Sequence, residues 1–129
     1  MKKLTQGLMI SLLLLLAAPA AQAADAAMNT MVNIVIHLNH FPSDEEIATL
    51  KDISESQTVS PGERTLAGAL MRLKHTVTDE DAAELKALEA DDSASENERK
   101  LAGILVNIAH HPDEEQKKEL QMILMSGSQ

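Results

Sequence analysis

Cysteine, tryptophan and tyrosine are missing from this 129-residue chain, and Phe41 is its one residue of the Phe/Tyr/Trp class. Without cysteine there is no disulfide to brace the fold and no thiol to carry a lipid, so stability must come from packing. Positive charge is scarce as well. Lys2 and Lys3 belong to an apparent leader, and without them 9 basic residues face 20 acidic ones, a net charge of −11 before histidine is counted. Such a surface repels nucleic-acid phosphates and anionic lipid headgroups and favours cationic partners: a basic protein patch, a metal ion or a positively charged small molecule. Missing too are a Ser/His/Asp arrangement, a glycine-rich phosphate loop and an H-E-x-x-H motif. The carboxylates lie in solvated runs where a pKa raised for acid catalysis is not expected. The composition therefore points away from an enzyme.

What is present begins with a leader. Lys2 and Lys3 precede the apolar run "LMISLLLLLAA", which is short for a bilayer span, and Pro19 is followed by the small-residue pattern "AQA". Residues 1–23 read as a secretory signal peptide cut after Ala23, leaving residues 24–129 as one domain, exported to the periplasm or beyond and not held in a membrane.

The remainder is an internal repeat. His40, His75 and His110 recur at intervals of 35 residues, and the register holds on both sides: Leu38, Leu73 and Ile108 before them, Glu45, Glu80 and Glu115, then Leu50, Leu85 and Leu120, then Ile53, Leu88 and Ile123 after them. "ERTLAGAL" at 63–70 sits over "ERKLAGIL" at 98–105. Three units, about 25–59, 60–94 and 95–129, are the signature of stacked supersecondary elements.

Each unit reads as a helical hairpin. Ser60 with Glu63 and Ser95 with Glu98 form S-x-x-E capping boxes, Pro61 takes the first helical position, and Asp25 fills the N-cap role in the first unit. Leu66, Ala69, Leu70 and Leu73, and their counterparts Leu101, Ile104, Leu105 and Ile108, recur at helical spacing. A second helix in each unit starts at the caps Ser43, Thr78 and Asp113, with acids in the first turn, where they meet the positive end of the helix dipole. These second helices carry fewer apolar residues and read as the outer ones. Gly68 and Gly103 fall inside helices, at a cost of about 1 kcal/mol each, which a close approach of a neighbouring helix would explain. The fold class is all-α: six helices in three tandem hairpins, as a short array or a compact bundle. Unit length and helix–turn–helix plan are similar to those of tetratricopeptide repeats; that family's aromatic positions are absent, and the break between helices comes later in the unit.

Two functional readings follow. The first is a non-enzymatic binding or adaptor module. The end helices of an array have uncovered apolar faces, and Ile34, Val35, Ile36, Met122 and Met125 would there meet a protein partner or a second copy, a homodimer being the simplest case. The second is metal binding. His37 and His40 share a helix face, and His110 and His111 are adjacent, so one turn of chain could gather imidazoles for zinc, copper or nickel. His75 has no second histidine beside it. The M-x-x-M pairs Met28/Met31 and Met122/Met125 are better read as adaptable core filling than as Cu(I) ligands. The repeating histidines themselves read as helix-end residues bonding free carbonyls. They are not expected to share one site, since helices pack about 8–10 Å apart while zinc holds nitrogen at about 2.0–2.1 Å. On this reading His37, which the other units replace with Arg72 and Asn107, is the residue that departs from the structural pattern.

Overall fold

The computed structural model describes residues 18–127, so most of the expected leader lies outside the described residues. Six helices follow in order: α1 (Ala18–Ile36), α2 (Asp44–Glu55), α3 (Pro61–Arg72), α4 (Asp79–Glu89), α5 (Glu96–Asn107) and α6 (Glu114–Ser126). The all-α class and the six-helix plan hold, and among the described residues no helix is long and apolar enough to cross a membrane.

The helices start where the caps require. Ser43, Thr78, Ser95 and Asp113 each accept a bond from the backbone N–H three residues on, satisfying a donor the helix leaves free. Two start sites differ from expectation. Helix α1 already runs from Ala18, so Asp25 lies inside it and caps nothing. At Ser60 only half of the capping box forms: the serine accepts from the Glu63 N–H, but the Glu63 carboxylate turns inward and its Oε2 finds no partner.

The three copies close on themselves. Helices α1, α3 and α5 touch one another pairwise around a pseudo-threefold axis, with α2, α4 and α6 outside them. The tightest pairs are not those within a repeat. Helix α2 packs chiefly on α3 and α4 on α5, and α6 completes the circle against α1. Closure is what turns the array into a bundle. Equivalent residues then form layers down the axis: Met31/Leu66/Leu101, Val32/Ala67/Ala102, Val35/Leu70/Leu105 and Leu38/Leu73/Ile108, all buried. Leu50, Leu85 and Leu120 of the outer helices, fully buried, seal the core from its periphery. Each such side chain contributes about 1.5–3 kcal/mol. Of the residues expected to meet a partner, Ile34 and Val35 are core residues and Ile36 packs against the core, whereas Met122 and Met125 are exposed.

The helical glycines serve side chains, not backbone approach. A Cβ on Gly68 would meet the Arg72 guanidinium at 3.1 Å, and one on Gly103 would meet the carboxylate of Glu89, the last residue of α4, at 2.8 Å. The space at Gly68 lets Arg72 lie along its own helix and form a two-pronged bond to buried Asp81, at 3.0 and 2.6 Å.

At the far end of the axis the equivalent residues are Met28, Glu63 and Glu98. Both carboxylates are buried, and Glu98 accepts a bond from the Ser60 hydroxyl across the repeat boundary. Burial, then the charge of Glu98, then that of Asp25, push the Glu63 carboxyl up to about 7. A carboxyl whose pKa is higher folded than unfolded holds its proton better in the fold. Its stabilising contribution is therefore complete below about 4.5 and is lost as the pH rises to about 7. Glu63→Gln should be more stable than the wild type at pH 8, by about 1–3 kcal/mol, with the difference vanishing near pH 4.5, as read by urea denaturation at the two pH values.

Candidate functional site

The repeating histidines do not sit in the last turns of helices. Helices α3 and α5 end at Arg72 and Asn107, Leu73 and Ile108 leave them in extended conformation, and His75 and His110 come two residues later. His40 follows the end of α1 in the same way. Each histidine is the centre of a three-residue turn in which the next N–H bonds back to the preceding carbonyl: Phe41 to Asn39 at 2.9 Å, Thr76 to Lys74 at 2.7 Å and His111 to Ala109 at 2.7 Å. Such a turn has a common inverse form at negative φ and a rare, strained form at positive φ, and the three histidines, with φ of 73°, 68° and 68°, take the strained one. Among the described residues no other non-glycine residue has a positive φ. Left-handed backbone costs about 1–2 kcal/mol per residue with a Cβ, and strain of this kind gathers at functional sites.

The three turns meet on the axis. The His40 N–H bonds to the His110 carbonyl (2.6 Å), the His75 N–H to the His40 carbonyl (2.7 Å) and the His110 N–H to the His75 carbonyl (2.7 Å). This closed ring of backbone hydrogen bonds ties one residue from each repeat to the other two. With the backbones so joined, the side chains converge. The Nδ1 atoms form a triangle with edges of 3.1, 3.1 and 3.0 Å. The ring centroids stand farther apart, at 4.9–5.1 Å, with the planes inclined at 70–78°, so the three imidazoles form a propeller with its nitrogens facing the axis. Among the described residues this is the one group of three or more histidine and acidic side chains whose ligand atoms gather closely enough to share an ion.

The expectation that these histidines lie too far apart for one site is therefore overturned. Helix spacing does not set their separation, because the histidines are on turns that reach past the helix ends to the axis. Of the four histidines expected as ligands, the structure brings together His40 and His110, adds His75, and leaves out His37 and His111. His37 Nδ1 donates to the Asn33 carbonyl at 2.9 Å, as the Asn107 amide does to Gly103, so His37 has the helix-end role expected of His40. His111 Nδ1 lies 3.2 Å from the Pro112 carbonyl, turned onto its own backbone. The signal for His75 was in the sequence, in the unbroken 35-residue interval, and needed only closure of the three units to become a site.

The triangle has a chemical consequence. A neutral imidazole nitrogen carries either one hydrogen or one lone pair, never both. Three Nδ1 atoms at mutual hydrogen-bond distance therefore cannot satisfy all three edges: one N–H can serve two lone pairs, but those two then face each other. A cation on the axis would meet three lone pairs at once. Edges near 3 Å would let His40, His75 and His110 hold one small cation together at the usual metal–nitrogen distance of about 2.0–2.1 Å. Around this end of the bundle lie the first turns of α2, α4 and α6, with exposed Asp44, Glu45, Asp79, Glu80, Glu114 and Glu115. Their charge raises the local concentration of cations.

Comparison of the chain with known protein families, curated proteins and solved structures finds no match.

The left-handed turns can be checked without metal. In ordinary extended or helical backbone alanine is favoured over glycine, whereas at a positive φ the order reverses. In chelator-treated protein His75→Gly should be more stable than His75→Ala by about 1 kcal/mol. Thermal or urea denaturation reads the difference, and equal stability or the opposite order would mean that the left-handed turn is not kept in solution.

Proposed function

We propose that the protein is a non-enzymatic metal-binding protein that holds one divalent transition-metal ion between its three repeats, with Nδ1 of His40, His75 and His110 as ligands. The observation that carries this reading is the 3.0–3.1 Å Nδ1 triangle, a geometry that neutral imidazoles cannot satisfy among themselves. Imidazole suits zinc, nickel and copper, and all three remain within the proposed class. The signal peptide expected at residues 1–23 supports a site of action in the periplasm or outside the cell.

The adaptor reading is the weaker of the two. It rested on uncovered apolar faces, and with α6 closed on α1 its remaining support is the exposure of Met122, Met125 and Phe41. No reaction is assigned to the protein.

Because each ligand comes from a different repeat, a bound ion joins the whole bundle. Binding is expected to raise thermal stability in proportion to the logarithm of free metal over Kd and to weaken on acidification, since every ligand must shed its proton. Calorimetric titration of chelator-treated protein with Zn(II), Ni(II) and Cu(II) should give one ion per chain with Kd at or below micromolar for at least one of them. His75→Asn, chosen because asparagine tolerates the left-handed turn, should weaken binding at least about a hundredfold. His37→Ala and His111→Ala should bind as the wild type does. A loss confined to the last two variants, or no binding tighter than micromolar, contradicts the proposal.

A further inference from the structure

Resting on that reading, the geometry points to a coordinatively open centre: we infer that the ion held by the three histidines keeps positions free on the solvent side and takes a small exogenous anion there. The triangle of nitrogens has a radius of about 1.8 Å, shorter than a metal–nitrogen bond of about 2.0–2.1 Å, so an ion bonded to all three would have to sit to one side of it. The side it occupies is set by the backbone. Toward the protein the axis is closed by the ring of His40, His75 and His110 peptide groups, at 2.6–2.7 Å from one another, and below that by buried Leu38, Leu73 and Ile108. Each carbonyl of that ring is already engaged by an N–H of the next turn. The other side faces water, since His75 and His110 are exposed and His40 is partly so.

Among the described residues no further ligand joins from the rim. No carboxylate and no fourth histidine converges with the triangle among the described residues. His111, next along the chain, is turned to the Pro112 carbonyl. Among the described residues three imidazoles are thus the whole contribution, fewer than the four ligands of a closed zinc site and the same number as in open, water-bearing ones.

Charge selects what fills the free positions. Three neutral imidazoles leave the double positive charge of the ion uncompensated, so an anionic oxygen or nitrogen donor binds better than a neutral one. The surrounding acidic first turns of α2, α4 and α6 repel large polyanions. A small monoanion, such as hydroxide, a carboxylate or azide, satisfies both conditions; phosphate esters and nucleic acids do not.

Cobalt(II) and azide test this directly. The chelator-treated protein is loaded with one equivalent of Co(II), and the visible absorption of the ion is followed as sodium azide is added at constant ionic strength, with sedimentation run in parallel. The expected result is a monomer carrying one Co(II), whose spectrum shifts saturably with azide in a one-to-one complex, and no such shift with a polyphosphate. Tight Co(II) binding with a spectrum indifferent to azide overturns the open centre while leaving the three-histidine site standing. A dimer sharing one ion overturns it as well, because a second copy then fills the outer face. Failure to bind Co(II), Zn(II), Ni(II) or Cu(II) at all overturns the metal reading itself, and this inference with it.

Discussion

The backbone ring that joins His40, His75 and His110 is the constraint on which the rest of the arrangement depends. Each of its bonds is modest in net free energy, about 0.5–1.5 kcal/mol, but together they hold three turns in a left-handed conformation that each turn alone would avoid. The ring forms only if the three repeats close, and closure needs α6 on α1 and the axial layers from Met31/Leu66/Leu101 to Leu38/Leu73/Ile108. The hydrophobic core therefore does more than stabilise the fold. It brings together three imidazoles from residues 35 positions apart, at a distance no single helix or hairpin could set.

The repeats are equivalent where the axis demands it and different elsewhere. At the position four residues beyond Asn33, Gly68 and Gly103, His37 and Asn107 bond back to a helix carbonyl, while Arg72 reaches sideways to Asp81. At the far end of the axis Met28 faces two buried carboxylates, one of which keeps its proton toward neutral pH. The two ends of the axis thus have opposite chemistry, an acid pair at one and a cluster of bases at the other. Strain in the histidine turns and desolvation of Glu63 both work against folding, and the apolar layers between them offset both.

Much of the fold was legible in the sequence, because helix caps, apolar periodicity and the 35-residue register are local signals that tertiary packing reinforces. Ser43, Thr78, Ser95 and Asp113 cap the helices they were expected to cap, and Leu50, Leu85 and Leu120 bury as the pattern requires. What sequence did not reveal depends on closure. Ile34 and Val35 read as uncovered because an open array was among the alternatives, and they are core residues once the circle completes. The roles of His37 and His40 were interchanged for a related reason. Periodicity placed His40 in a last helical turn, whereas Leu38 leaves the helix and Asn39, His40 and Phe41 turn back on themselves. A positive φ at a residue other than glycine leaves no mark in a one-dimensional pattern.

A site built by the three repeats differs from a chance cluster in which nitrogen of which histidine meets an ion. Long-range proton–nitrogen correlation spectra of 15N-labelled protein, recorded before and after one equivalent of Zn(II), read each ring nitrogen separately. Nδ1 of His40, His75 and His110 should shift together to metal-bound values with the proton left on Nε2, while His37 and His111 stay where they were. Ligation through Nε2, or a response from His37 or His111 in place of His75, would contradict it.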